Sequence, residues 1–180
     1  MCYGPTDSLH AYAGADLATW AALSDSNDAW ERTLDAMLRW RTASGGGAEL
    51  FSARSRDFGF NLPPHVTSSA TLIDLIHNGI LYDASDDTLR ITHATRRQWW
   101  TVGGRMLAAR TLWGRFDLAF GIQNDEAVWH CTRLPVWAIF RLPPGTRLST
   151  SPAPPLRAHG SRAVMAPPGT TDIRAKCTPL

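Results

Sequence analysis

Five arginines, Arg90, Arg96, Arg97, Arg105 and Arg110, fall within one stretch of the chain, and Trp99-Trp100 and Trp113 lie among Arg96, Arg97, Arg110 and Arg115. The guanidinium group is planar, always charged and forked, and it suits phosphate oxygens. Such contacts displace condensed counterions from a nucleic-acid backbone and supply much of its affinity. Aromatic rings between arginines can stack bases, and equally they can be core residues rimmed by Arg. Upstream, Thr71 and Asn78 are neutral donor–acceptors of the kind that read base edges in a groove. These seven residues form the candidate nucleic-acid-binding set.

No catalytic constellation accompanies them. His130 and Cys131 are neighbours on an expected strand, so they point to opposite faces and cannot pair as base and nucleophile. A divalent-metal site for nucleotide chemistry needs at least two converging carboxylates. Residues 116–122 offer only Asp117, and Asp125-Glu126 falls in a turn. His159 reads as a loop residue before Gly160, and His93 as a core histidine. Gly45-Gly46-Gly47 lacks the following Lys-Ser/Thr of a phosphate-binding loop and reads as a connector. The hydroxyls of 146–151 lack the glycines of a nucleophile elbow. The chain therefore reads as non-enzymatic, without metal or cofactor.

The elements that must position these residues change character along the chain. Leu17, Trp20 and Ala21 suggest a short helix near 15–24. Asp28 and Glu31 have the spacing of a capping box, and Trp30, Leu34, Met37 and Leu38 then form an apolar stripe to about Trp40. Trp20, Trp30 and Trp40 recur with this pattern and are core candidates. After Pro63-Pro64 a second helix is expected, capped by Ser68 or Ser69, lined by Leu72, Leu75 and Ile76, and stopped at Asn78-Gly79. Residues 80–92 read as a hairpin turning at Ala84-Ser85-Asp86-Asp87, with Leu89 and Ile91 inward and Arg90 outward. Residues 94–113 read as helix broken near Gly103-Gly104. Phe116, Leu118, Phe120 and Ile122 then alternate as in a strand, Asn124-Asp125 turns the chain, and strands follow at 128–134, 136–142 and 162–166. Prolines punctuate these strand ends, and 170–180 reads as a frayed tail.

Composition sets the outer limits. Hydrophobic residues make up 44% and charged ones 19%, which suits a packed chain and not a disordered one. No apolar run approaches the ~20 residues of a membrane span, and 1–6 lack the features of a secretory signal. A cytoplasmic setting is expected. Three cysteines without metal-type spacing read as free thiols. Seventeen arginines to one lysine suggest a GC-rich bacterial or phage genome. Residues 1–100 carry 12 acidic and 8 basic side chains, whereas 101–180 carry 4 and 10, so the basic charge lies in the back half. A basic half can be the footprint of a polyanion partner, or simply a solvated surface.

Two resemblances follow from the quoted residues. The stretch Thr71-Leu72-Ile73-Asp74-Leu75-Ile76-His77-Asn78-Gly79-Ile80-Leu81, then Leu89-Arg90-Ile91-Thr92, resembles the recognition helix and wing of winged-helix proteins across about 63–100. That resemblance implies DNA binding. The helix itself carries no Arg or Lys and contains Asp74, so charge would have to come from the hairpin and beyond. More distantly, Trp137-Ala138-Ile139-Phe140-Arg141, Leu156-Arg157-Ala158-His159-Gly160 and Val164-Met165-Ala166-Pro167-Pro168-Gly169 resemble the closing strands of actinobacterial bifunctional DNA primase/polymerase domains over 135–169. The paired acids of that family are missing. The expectation is an α+β chain: helices with a winged-helix-like hairpin over 1–113, an antiparallel sheet of about four strands over 114–169, and a tail. The expected role is a DNA-associated protein of replication or regulation. A degenerate primase/polymerase-like domain and a protein-interaction or structural module with a protein partner are the alternatives.

Overall fold

In a computed structural model that describes residues 2–3, 8–52, 54, 57–58, 65–83 and 87–180, Trp30 and Leu34 lie one helical turn apart and are fully buried. By contacts the chain divides into two units, Met1–Gly79 and Ile80–Leu180. Pro63-Pro64 and the turn residues Ala84, Ser85 and Asp86 lie outside the described residues.

The first unit runs β1 (Cys2–Tyr3), β2 (Ser8–His10), α1 (Ala11–Leu23), α2 (Asn27–Arg39), β3 (Leu50–Ser52), β4 (Asp57–Phe58) and α3 (Val66–Ile80). Helix α2 matches the expected stripe, but the chain enters it through Ser26 with no side-chain cap. Asp28 sits inside the first turn, where its charge still favours the helix dipole. The indole of Trp30 donates to the Leu75 carbonyl at 3.2 Å, joining α2 to α3. Helix α1 begins earlier than expected and packs on α2, burying Ala15, Ala18 and Ala22. Trp20 is 67% exposed, so it is not core. In an alanine-rich helix that is apolar nearly all round, the pattern does not single out the buried face. Helix α3 passes the expected stop at Asn78-Gly79 and runs straight on to Ile80. Strands β1 to β4 form a small antiparallel sheet that was not expected from the residue pattern. Two and three residues are too few for alternation to register.

The second unit contains β5 (Leu81–Tyr82), β6 (Thr88–Ile91), α4 (Arg97–Val102), β7 (Gly104–Thr111), β8 (Gly114–Gln123), β9 (Glu126–Cys131), β10 (Trp137–Arg141), β11 (Thr146–Leu148), β12 (Arg157–Ala158), β13 (Ala163–Ala166) and β14 (Asp172–Pro179). The chain is α+β as expected, with two five-stranded sheets here instead of one of four strands. One has the order β12-β13-β10-β6-β5 and is mixed, because β6 and β10 run parallel. The other, β11-β14-β9-β8-β7, is antiparallel. Leu89, Ile91, Phe140 and Val164 of the first and Phe116, Leu118, Trp129 and Ile173 of the second are buried. The sheets meet where Trp129 stands edge-on to Phe140 at 5.5 Å. Trp100 of α4 packs against Phe120 and Trp129.

Thr92 ties this core together. Its Oγ1 donates to the Arg141 carbonyl at 2.7 Å and accepts from the Trp129 indole at 3.0 Å. It holds φ of 51°, a region that a β-branched residue rarely enters.

Helix was expected through residue 113, but only α4 forms, and 104–111 is strand. Met, Leu, Ala and Arg favour helix intrinsically, and pairing with β8 overrides them. Gly104 is required there, because a Cβ would lie 2.2 Å from the Phe120 ring. The expected tail is strand β14, seated between β9 and β11. Ile173 and Ala175 are buried there between exposed Asp172, Arg174 and Lys176. That alternation is present in the sequence.

Candidate nucleic-acid interface

Strand β8 buries Phe116, Leu118 and Phe120, so Arg115, Asp117, Ala119 and Gly121 take the opposite face. Register then decides what joins them. Arg110 of β7 lies directly across from Arg115, and Arg105 across from Ala119. On the other side Ala119 pairs with His130, and His130 with Asp172. A β-bulge between Met106 and Ala109 shifts the register by one residue, so that Arg105 and Arg110 share the outer face. Within the bulge the Ala108 N–H donates to Asp117 Oδ1 at 2.6 Å, and Leu107 is exposed. The tight turn at Leu112-Trp113 is held by the Leu112 N–H on Asp83 and by the Thr111 hydroxyl on the Gly114 carbonyl.

Charges on this outer face pair unevenly. His130 Nδ1 lies 2.5 Å from Asp172 Oδ1, and Thr171 donates to the other carboxylate oxygen at 2.8 Å. These hydrogen bonds, His130 first, hold the Asp172 carboxyl below its usual range. Arg174 meets Glu126 at 3.7 Å. Among the described residues, Arg97, Arg105, Arg110 and Arg115 have no ion-pair partner. Arg105 and His130 also line a groove of ≈ 360 Å³ floored by Ala119 and Gly121.

The candidate residues separate into three places. Arg105 and Arg110 share the exposed face just described, and Arg97 is exposed at the start of α4. Arg96 is half-buried, as is Arg90, which lies between Tyr82 of β5 and Ile139 of β10. Thr71 and Asn78 are half-buried on α3 in the first unit, and the Thr71 hydroxyl donates to the Thr67 carbonyl at 2.7 Å. Arg115 was not among the candidates. It becomes visible once 111–114 is read as a tight turn, because Arg110 and Arg115 are then opposed across it.

His130 and Cys131 do point to opposite faces, His130 outward. Burial, and secondarily the Asp172 charge, pushes the Cys131 thiol up to about 12, so it is a poor nucleophile. Among the described residues no three His, Cys, Asp or Glu side chains converge to hold a metal ion. Ser68, His65 and Glu49 do form a line: Ser68 Oγ is 3.1 Å from His65 Nδ1, and His65 Nε2 is 3.7 Å from Glu49. Yet Nδ1 also accepts the Ser68 backbone N–H at 3.3 Å. Its single lone pair is therefore serving the first turn of α3, and His65 is the cap expected of Ser68 or Ser69. Compared with known proteins, the chain matches no family model, no curated protein and no solved structure, so the interface stands on its own geometry.

Proposed function

We propose that the protein is a non-enzymatic DNA-associated protein of replication or regulation, and that it grips phosphates with the outer face of the β7–β8 hairpin. The observation that carries this reading is the direct opposition of Arg110 and Arg115, neither of which has an ion-pair partner among the described residues. Like charges directly across a sheet are destabilising, and a bound phosphate removes that penalty. Protection of an exposed edge strand would account for a bulge and for arginines on β7. It does not account for Arg115, which lies on the interior strand β8. Arg105 extends the cationic face into the adjoining groove. In the winged-helix resemblance, α3 is the element that would reach base edges through Thr71 and Asn78.

Fluorescence anisotropy with a labelled duplex, titrated at several salt concentrations, tests this. Replacing Arg105, Arg110 and Arg115 together by Ala should weaken binding at least tenfold at about 50 mM salt. It should also flatten the log–log salt slope by up to about 2.7, or ~0.9 for each phosphate no longer neutralised. Thr71→Ala and Asn78→Ala should change preference among duplex sequences and leave the salt slope alone. A triple variant that binds as tightly as the parent, with the same slope, removes the hairpin from the reading. Absence of binding by the parent at that salt removes the reading itself.

A further inference from the structure

The first unit contains a cavity of ≈ 350 Å³, open on one side, whose wall is built largely from small residues. Ala29, Thr33, Ala36 and Met37 recur along α2 at one turn and two turns, with Trp40 following at its C-cap, so a single stripe of the helix faces it. The opposite wall uses Ala11 and Gly14 of α1. Phe51 stacks on Trp40 with ring centroids 4.0 Å apart and forms one end. The void is not a symptom of a loose helix, because α2 packs Trp30 and Leu34 without exposed surface. Close-packed interiors do not leave gaps of this size, and the volume falls in the ~300–1,000 Å³ range of small-molecule sites.

The polar groups of the wall narrow the ligand. The Thr33 hydroxyl donates to the Ala29 carbonyl at 3.0 Å. Ser69 Oγ donates to the His65 carbonyl and accepts the Gly47 N–H. The Thr33 and Ser69 hydroxyls are therefore spent within the protein, and Ser68 is buried. Arg32 and Arg41 also line the cavity, are exposed, and have no ion-pair partner among the described residues. An apolar chamber with cations at its edge fits a molecule with an apolar body and one anionic head. We propose that this cavity is a binding site for a small organic monocarboxylate, aliphatic or aromatic, whose body lies against Ala36, Met37 and the Trp40–Phe51 stack and whose carboxylate meets Arg32 or Arg41. The site is separate from the hairpin face and does not depend on the DNA reading.

Isothermal titration of the full chain with octanoate and with 1-naphthoate provides the test, with octan-1-ol as the neutral control. Saturable 1:1 binding is expected for at least one carboxylate, tenfold or more tighter than for the alcohol. Ala36→Phe should abolish it by filling the chamber. Where that variant fails to fold by circular dichroism, the surface pair Arg32→Gln with Arg41→Gln takes its place, and should lower carboxylate affinity at least tenfold. The single changes identify the head-group partner. No saturation by about 1 mM of either carboxylate, equal affinity for the alcohol, or full binding by the double Gln variant overturns the proposal.

Discussion

The hairpins β5–β6 and β7–β8 both carry arginine on one face and apolar residues on the other, and among the described residues each joins an edge strand to an interior one, yet their arginines fare differently. Strand β6 is held on both sides, antiparallel to β5 and parallel to β10, and its Leu89 and Ile91 are wholly buried. Arg90 is consequently half-covered by its neighbours on the sheet face. Among the described residues strand β7 has a partner on one side only, and its bulge and turn present Leu107 and Leu112 to solvent together with Arg105 and Arg110. An arginine beside a hairpin is therefore not by itself an electrostatic contact. How far its neighbours cover the side chain decides how much of its charge a polyanion meets, since Arg115 is exposed although β8 is interior. In the hairpin read as a wing the arginine is half-covered on β6, while β7, read as helix, bears exposed charge.

The largest expected effect separates the two hairpins by stability. Leu89→Ala should cost about 2–5 kcal/mol in chemical denaturation, as for other fully buried leucines. Leu107→Ala and Leu112→Ala on the edge hairpin should stay within about 0.5 kcal/mol. Similar losses on both would erase the distinction. Next comes Thr92→Val at the end of β6. The change keeps the β-branch but removes the hydroxyl that serves the Arg141 carbonyl and the Trp129 indole. With the buried indole N–H left unpaired and the part-buried carbonyl losing this donor, a loss of at least about 1 kcal/mol is expected by the same denaturation assay.

A smaller difference is expected in duplex binding. Arg110→Ala should reduce affinity several-fold and lower the salt slope by about 0.9, whereas Arg90→Ala should change the slope by much less. If Arg90 proves the more sensitive, the wing-like reading of β5–β6 regains ground over the edge hairpin. The smallest effect concerns the opposed pair itself. Without DNA, Arg115→Ala should leave stability unchanged or raise it by about 0.2–1 kcal/mol, as like-charge repulsion across β7 and β8 is relieved. The gain should shrink at high salt, where exposed charges are screened. A clear destabilisation at every salt concentration would mean that Arg115 is bound into the sheet by interactions its charge does not explain.

Elements with a long, unambiguous period were legible. The Trp30–Leu34 stripe of α2 and the Phe116–Leu118–Phe120 alternation of β8 each specify one face by residue type alone. Asn124-Asp125 supplied its own turn, and both residues take the positive φ that such a turn requires. Strand β14 could have been read from the alternation of Asp172, Ile173, Arg174, Ala175 and Lys176, but its place at the end of a proline-rich passage suggested a tail.

What sequence by itself determined is the α+β class, the helical and strand faces of long amphipathic elements, and the excess of basic residues in the back half. Tertiary structure alone decided that 104–111 pairs as a strand against its own helix propensity, since only β8 and the Phe120 ring against Gly104 make that conformation the better one. It also decided that β6 is interior and β7 an edge, because the strand beside β6 is β10, nearly fifty residues on. No local pattern encodes a neighbour that distant. The cavity of the first unit likewise follows from which small side chains of α1 and α2 face each other, and alanines and glycines mark no face until the helices are packed.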